Sequence, residues 1–206
     1  MESEAQFEIE WHLVRHGRTQ WNVERRYLGH MDIPLLDGGH AGLESLREEL
    51  ASTKFPIVQC SDLQRCRMTL ERVRPDLKNI ATFDERLREM DFGDWEGFTY
   101  EELKDIPRYR QWIDHPADHT PPQGESWTQL ERRVLSVLEE IVTRLKIEDA
   151  PPEGEAFQVL IVTHGGVIRL LRTVLIPGAH FKDAMVDNGS VLRIRTSHSR
   201  AHLGFC

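Results

Sequence analysis

Seven consecutive residues, Phe157-Gln-Val-Leu-Ile-Val-Thr163, constrain the fold of this 206-residue chain more than any other stretch. They are apolar or β-branched at almost every position and show no polar alternation, so a strand built from them has both faces covered. Such a strand sits in the middle of a mainly parallel sheet with helices on either side. The remaining periodicity agrees. Residues 9–14 read as a first strand, followed by a loop rich in Gly, Asp and Pro to about Gly39. Leu43, Leu46 and Leu50 then recur at helical spacing. Residues 56–61 form a second short strand, and Asp62 is placed to cap a helix striped by Leu63, Cys66, Leu70 and Val73. A third strand is expected over 80–83. Residues 91–126 hold aromatic residues and prolines and read as irregular, with two short helices. Trp127, Leu130, Val134, Leu138, Ile141 and Leu145 mark a long amphipathic helix that Pro151-Pro152 would stop. Residues 167–175 give a helix apolar on most sides, and 190–196 alternate as a last strand. Strands alternating with helices imply an α/β fold, three layers α/β/α around a mainly parallel sheet, as one domain over 1–206.

In sheets of this kind, sites gather at the carboxyl ends of strands. Two strands here end in unusual chemistry. Val14 is followed by Arg15-His16-Gly17, and Thr163 by His164-Gly165-Gly166. Gly17 and Gly165 let backbone approach a ligand closely, and a helix starting just after either glycine offers free N–H groups to an anion. Two imidazoles and several arginines converging on one pocket suit a phosphate, because a guanidinium binds phosphate oxygens as a bidentate fork. An imidazole can also act as a nucleophile. Each piece alone is a weak pattern. His12 reads as a hydrogen-bonded strand residue, and no role attaches to His40, His115, His119, His198 or His202. There is no H-E-x-x-H and no C-x-x-C, so neither a metal site nor a cofactor is expected.

The combination is specific. Leu13-Val-Arg-His-Gly-Arg-Thr-Gln-Trp-Asn22, Cys60-Ser-Asp-Leu-Gln-Arg-Cys-Arg-Met-Thr69, Leu87-Arg-Glu-Met-Asp-Phe-Gly-Asp-Trp-Glu-Gly97 and Val162-Thr-His-Gly-Gly166 occur in that order. Together they resemble the four motifs of the histidine phosphatase superfamily, the phosphoglycerate mutase-like fold, over nearly the whole chain. The resemblance implies a metal-independent phosphomonoesterase acting on a small phosphorylated metabolite. It makes His16 the nucleophile that forms a phosphohistidine. Arg15, Arg65 and His164 hold the phosphoryl oxygens, with backbone N–H groups near Gly17 and Gly165. Glu89 becomes the general acid and then the general base, and Asn22, Leu28 and Gly29 lie on the substrate side. Glu89 is one of six acids between Asp84 and Glu96, and the other five are expected to be solvated.

The sequence departs from the family pattern in three places. Gly39-His40-Ala41-Gly42-Leu43 replaces a Gly-x-x-Gln-Ala pattern, Cys66 follows the phosphate arginine where a small residue is common, and Leu28-Gly29 replaces a Thr-Gly pair of the mutases. The last change removes a hydroxyl contact. Glu89 and His164 lie 75 positions apart, and the irregular part of that interval is short and mixed in charge. Hydrolysis is therefore preferred over mutase-type phosphoryl transfer, in the branch that includes α-ribazole phosphatases and broad-specificity phosphomonoesterases. A non-catalytic phosphate-binding module is disfavoured because all five core residues are present. Tyr100, Tyr109, Trp112 and Trp127 can wall a leaving-group site, with at least two of them expected to do no more than pack the irregular segment onto the sheet.

Composition sets the partners. The formal net charge of −8 argues against nucleic acid and against an anionic membrane surface. The acidic excess sits in residues 1–10 and 148–155, whereas residues 11–30 hold Arg15, Arg18, Arg25 and Arg26 against Glu24 alone. A small phosphate ester thus remains compatible with the charge. No apolar run reaches the length of a membrane span. The N-terminus lacks a signal core, and three cysteines, Cys60, Cys66 and Cys206, fit a reduced cytoplasmic compartment. The sequence does not reveal oligomeric state.

Overall fold

The structure, a computed structural model, describes residues 6–38, 41–147, 151–152, 154–183 and 186–199. The expectations for Gly39-His40, the acids at 148, 149 and 153, His202 and Cys206 lie outside them. Five strands, β1 (Gln6–Arg15), β2 (Ile57–Ser61), β3 (Thr82–Asp84), β4 (Phe157–Thr163) and β5 (Val191–Ser199), form one sheet in the order β3-β2-β4-β1-β5. β4 pairs in parallel with β1 and β2, β2 pairs in parallel with β3, and β5 runs antiparallel along β1. The α/β architecture is the expected one, with β4 central.

Side-chain alternation along β4 explains why it is apolar throughout. Val159 and Ile161 face one core, and Leu160 and Val162 face another. The first core is closed by α6 (Trp127–Ile147) and α7 (Gly165–Leu175) through Leu130, Val134, Leu138, Ile168 and Leu171. The second is closed by α2 (Ala41–Leu50) and α3 (Gln64–Val73) through Leu43, Leu46, Leu50, Leu70 and Val73. Burying such side chains stabilises by about 1.5–3 kcal/mol each relative to exposure, so both faces hold the sheet between helices. His12 is buried on β1, and its Nε2 lies 2.7 Å from Gln158 Oε1, as expected of a satisfied strand residue.

Four local expectations are corrected. The loop after β1 contains a short helix, α1 (Gln20–Glu24), capped by Thr19 and Asn22 in a reciprocal box. Asp62 does not cap α3. The N-cap is Leu63, with no side-chain cap bond, and Asp32 Oδ1 accepts the Gln64 N–H from across the chain at 2.7 Å. Asp62 instead pairs with Arg88, whose Nε donates to it at 2.8 Å. The third strand starts at Thr82 rather than residue 80, and Ile80 is exposed. The acids between Asp84 and Glu96 are mostly engaged. Asp84 accepts from the Arg86 N–H, Glu96 from the His30 and Met31 N–H groups, and Asp91 from the Gly93 N–H. Only Glu85 and Asp94 of the five are exposed. The irregular segment holds its two short helices, α4 (Tyr100–Leu103) and α5 (Pro107–Asp114).

Candidate active site

Sheet register builds the site. Arg15 is paired with Thr163 across the β1–β4 ladder, so the next residue on each strand, His16 and His164, emerges side by side. Their ring centroids are 5.1 Å apart. On the other side of β4, Cys60 pairs with Val162, which brings Ser61 to the same level. Three strand ends therefore converge before any helix contributes.

The tautomers follow from the partners. His16 Nδ1 lies 2.7 Å from the Gly17 carbonyl oxygen. A carbonyl only accepts, so Nδ1 carries the hydrogen and Nε2 keeps its lone pair. Arg65 Nε donates to His164 Nδ1 at 3.2 Å. A guanidinium only donates, so the His164 hydrogen sits on Nε2, facing Ser61 Oγ at 2.9 Å. Burial, then the Arg65 and Arg15 charges, hold His16 well below the ordinary histidine range. Burial, Arg65 and His16 do the same to His164. Both rings are neutral at neutral pH.

Arg65 is fully buried on the first turn of α3, and its guanidinium is fixed by backbone. Its Nη1 donates to the Met31 carbonyl at 2.8 Å and its Nη2 to the Gly29 carbonyl at 2.6 Å. Arg15 Nη1 donates to the Val186 carbonyl at 2.7 Å, while its Nε has no hydrogen-bond partner among the described residues. The Arg15 guanidinium lies against Gly165, where a Cβ would come within 3.2 Å of Cζ. Glu89 sits at the start of α7. Its Oε2 accepts from the Gly166 N–H at 2.9 Å and its Oε1 from the Met90 N–H at 3.0 Å. Early N–H groups of a helix have no intrahelical acceptor and favour a carboxylate.

His16, Arg15, Arg65, His164, Glu89, Gly17 and Gly165 are thus brought together. The rest of the expected set is placed differently. The Gly17 N–H already donates to Thr69 Oγ1 at 2.9 Å. Asn22 Oδ1 is taken up by Thr19 and by Asn188 Nδ2 at 3.2 Å. Leu28 is buried, and Gly29 serves Arg65 through its carbonyl. Arg26 is engaged by Glu24 and the Gly97 carbonyl, whereas Arg15 and Arg65 lie close enough for their charges to act on His16. Burial pushes the Cys66 thiol up to about 12, which keeps it neutral beside His164.

Sequence reasoning missed Ser61, Thr69, His30, Asn188 and Arg133. Ser61 and Thr69 lie inside the second motif. Arg133 has no local signal: from the second turn of α6 it donates to the Arg86, Arg88 and Glu89 carbonyls at 2.7, 2.6 and 2.8 Å and pairs with Glu125. His30 Nε2 donates to the Glu89 carbonyl at 3.0 Å.

Beside Glu89 and Gly166 opens a cavity of about 320 Å³, walled by Phe92, Trp112, Ile113, Trp127, Leu130 and Phe181. Two of the four expected wall residues are therefore in place. Tyr109 is fully buried, its hydroxyl 2.6 Å from that of Tyr27, and Tyr100 is exposed near Arg110.

Residues 11–205 match the family model described as the histidine phosphatase superfamily, branch 1. The adenosylcobalamin/alpha-ribazole phosphatase of Escherichia coli strain K12 is 32% identical over 182 residues, 86% of this chain and 85% of that protein. Phosphoglycerate mutase-like protein 4 of Arabidopsis thaliana is 34% identical over 164 residues, 77% of this chain and 67% of that protein. Among solved structures, the alpha-ribazole phosphatase of Shigella flexneri superposes with a TM-score of 0.77 at 28% identity, over 93% of this chain and 95% of that one. With its motif residues gathered at the ends of β1, β2 and β4, the chain belongs to branch 1 of the histidine phosphatase superfamily and is an enzyme of the histidine phosphatase type.

Proposed function

We propose that the protein hydrolyses phosphate monoesters of small metabolites through a phosphohistidine on His16. The observation that carries this is the 2.7 Å bond from His16 Nδ1–H to the Gly17 carbonyl, which leaves a neutral Nε2 lone pair among Arg15, Arg65 and His164. Nε2 attacks phosphorus and the ester P–O bond breaks. Glu89 gives its proton to the departing oxygen. Water then gives a proton to the Glu89 carboxylate as its oxygen attacks phosphorus, the N–P bond breaks, and phosphate leaves with His16 restored. Arg15, including its unpartnered Nε, and Arg65 meet the phosphoryl oxygens, and donors fixed before reaction are worth most at the transition state. Segment 91–126 supplies Phe92, Trp112 and Ile113 to the leaving-group cavity, and the chain works as one catalytic unit.

The broad aromatic wall of that cavity, Phe92, Trp112, Trp127 and Phe181, suits a leaving moiety larger than a three-carbon acid and so favours hydrolysis over mutase-type transfer, whose doubly phosphorylated intermediate is small. Rapid acid quench during turnover of a 32P-labelled monoester tests the reading. Label should stay on wild type and be absent from His16→Ala. Retained label in that variant moves the nucleophile elsewhere. Interconversion of 3-phosphoglycerate in the presence of 2,3-bisphosphoglycerate, without phosphate release, overturns the preference for hydrolysis.

A further inference from the structure

The cavity beside Glu89 is not uniformly apolar. Arg169 and Lys182 line it too. Arg169 lies one turn after Gly166 on α7, half-buried, with its guanidinium 4.3 Å from the centroid of the Phe181 ring. Phe181 packs edge-on against Trp127, centroids 4.8 Å apart. The guanidinium thus rests over the Phe181 ring in a cation–π contact with the cavity wall. It makes no ion pair or hydrogen bond among the described residues, nor does Lys182. Arg172, the next arginine along the same helix, by contrast meets Asp183 at 3.9 Å. Its charge is close enough to act on Arg15. The one carboxylate in the cavity, Glu89, is already engaged by the Gly166 and Met90 N–H groups.

A ligand that reaches Glu89 with its ester oxygen places the rest of its body between Trp112 and Trp127, then meets two unpaired cations. We propose that the leaving moiety of the preferred substrate combines a flat apolar body with a second anionic group, a carboxylate, and that Arg169, assisted by Lys182, determines this specificity. The planar fork of Arg169 suits two carboxylate oxygens. The inference rests on the monoesterase reading of the same site and narrows its substrate class.

The test compares 3- and 4-carboxyphenyl phosphate with their carboxamide counterparts, which keep ring and size but lose the charge. In wild type, kcat/KM should favour the better carboxylate over its carboxamide by about tenfold, the size expected for one partly exposed charge-assisted pair. In Arg169→Gln that ratio should fall about tenfold, whereas Arg169→Lys should keep part of it. Comparing the ratio between enzymes cancels the intrinsic reactivity of each ester. Equal ratios in wild type and Arg169→Gln overturn the proposal. Calorimetric titration of the same four esters into His16→Ala separates the two readings. Carboxylate-selective binding that needs Arg169, with no ester turned over by wild type, keeps the subsite and removes the phosphatase. Turnover of all four without selectivity keeps the phosphatase and removes the subsite.

Discussion

The Gly166 N–H donates to Glu89 Oε2 at 2.9 Å, and the same glycine leaves no space for a side chain, because a Cβ there would overlap Glu89 Oε1. One residue thus both holds the proposed proton donor and makes room for it. In Gly166→Ala the carboxyl must move. Misplacement of a catalytic group by about 1 Å costs on the order of 10²-fold, so kcat/KM should fall by about that factor. Helix propensity moves the other way by about 1 kcal/mol, so the thermal midpoint should hold. Steady-state kinetics beside a melting curve checks both.

Arg133 should matter to activity although it touches no reacting atom. It clamps the Arg86, Arg88 and Glu89 carbonyls from the far helix. Arg133→Met leaves those carbonyls and Glu125 without their donor and should cost about 2 kcal/mol or more, from the usual worth of hydrogen bonds to a charged group. It should also lower kcat more than it raises KM. Arg133→Lys should rescue little, because three donors on one nitrogen cannot span three carbonyls and the Glu125 carboxylate together. Urea titration and a kcat-against-KM split give the readout.

Acid should remove stability before it removes the fold's geometry. His16 and His164 are held well below the ordinary value by burial and by Arg65, while in the unfolded chain they take up protons near about 6.5. Below that pH the unfolded state binds protons that the folded state refuses, so unfolding free energy rises with pH and drops as pH falls from about 6.5. The same sign governs activity: His16 stays nucleophilic at pH 6.5, and the acid limb of kcat/KM should lie clearly lower. Denaturation at a series of pH values, and in His164→Gln, where the slope should shrink, tests this.

Asp32→Ala should destabilise by about 1 kcal/mol, the usual worth of an N-cap contact, since Asp32 supplies the cap that Leu63 does not. Arg65 sits on that first turn, so KM for a phosphate ester should also rise. Asp62→Asn, at the position where a cap is absent, should act through Arg88 instead, and a double-mutant cycle with Arg88→Met should show the coupling.

Turnover should survive excess chelator. The groups at the proposed phosphate site are guanidinium donors and neutral imidazoles, and its single carboxylate is bonded to two backbone N–H groups. Loss of activity on chelation, restored by a divalent ion, would refute metal independence.

The residues that chemistry places on neighbouring strands were easy to read, because each follows an apolar run that can only be a buried strand. That His16 and His164 stand abreast was not readable, since it depends on a register set by distant pairing rather than by either run. The misplaced cap shows the same limit. Asp62 satisfies every local criterion, yet Arg88 competes for it, and Asp32 reaches Gln64 from another segment. Arg133, His30 and Asn188 serve the site through contacts far along the chain, where side-chain type carries no positional signal. Helix α1 interrupts the expected loop because Thr19 and Asn22 satisfy each other, a weaker pattern than a Ser/Thr with Glu or Gln three residues later.

The pairing of Arg15 with Thr163 joins the first strand to one near the other end of the chain. Contacts of such sequence separation form late, because loop closure must be overcome first. A partly folded chain with β1 still undocked lacks His16 beside Arg65 and His164, and a slip of one residue turns the strand's side chains to the wrong face. Recovery of catalysis during refolding therefore reports the docking of this one ladder, and a nascent chain cannot act on phosphate esters until β4 and α7 have emerged.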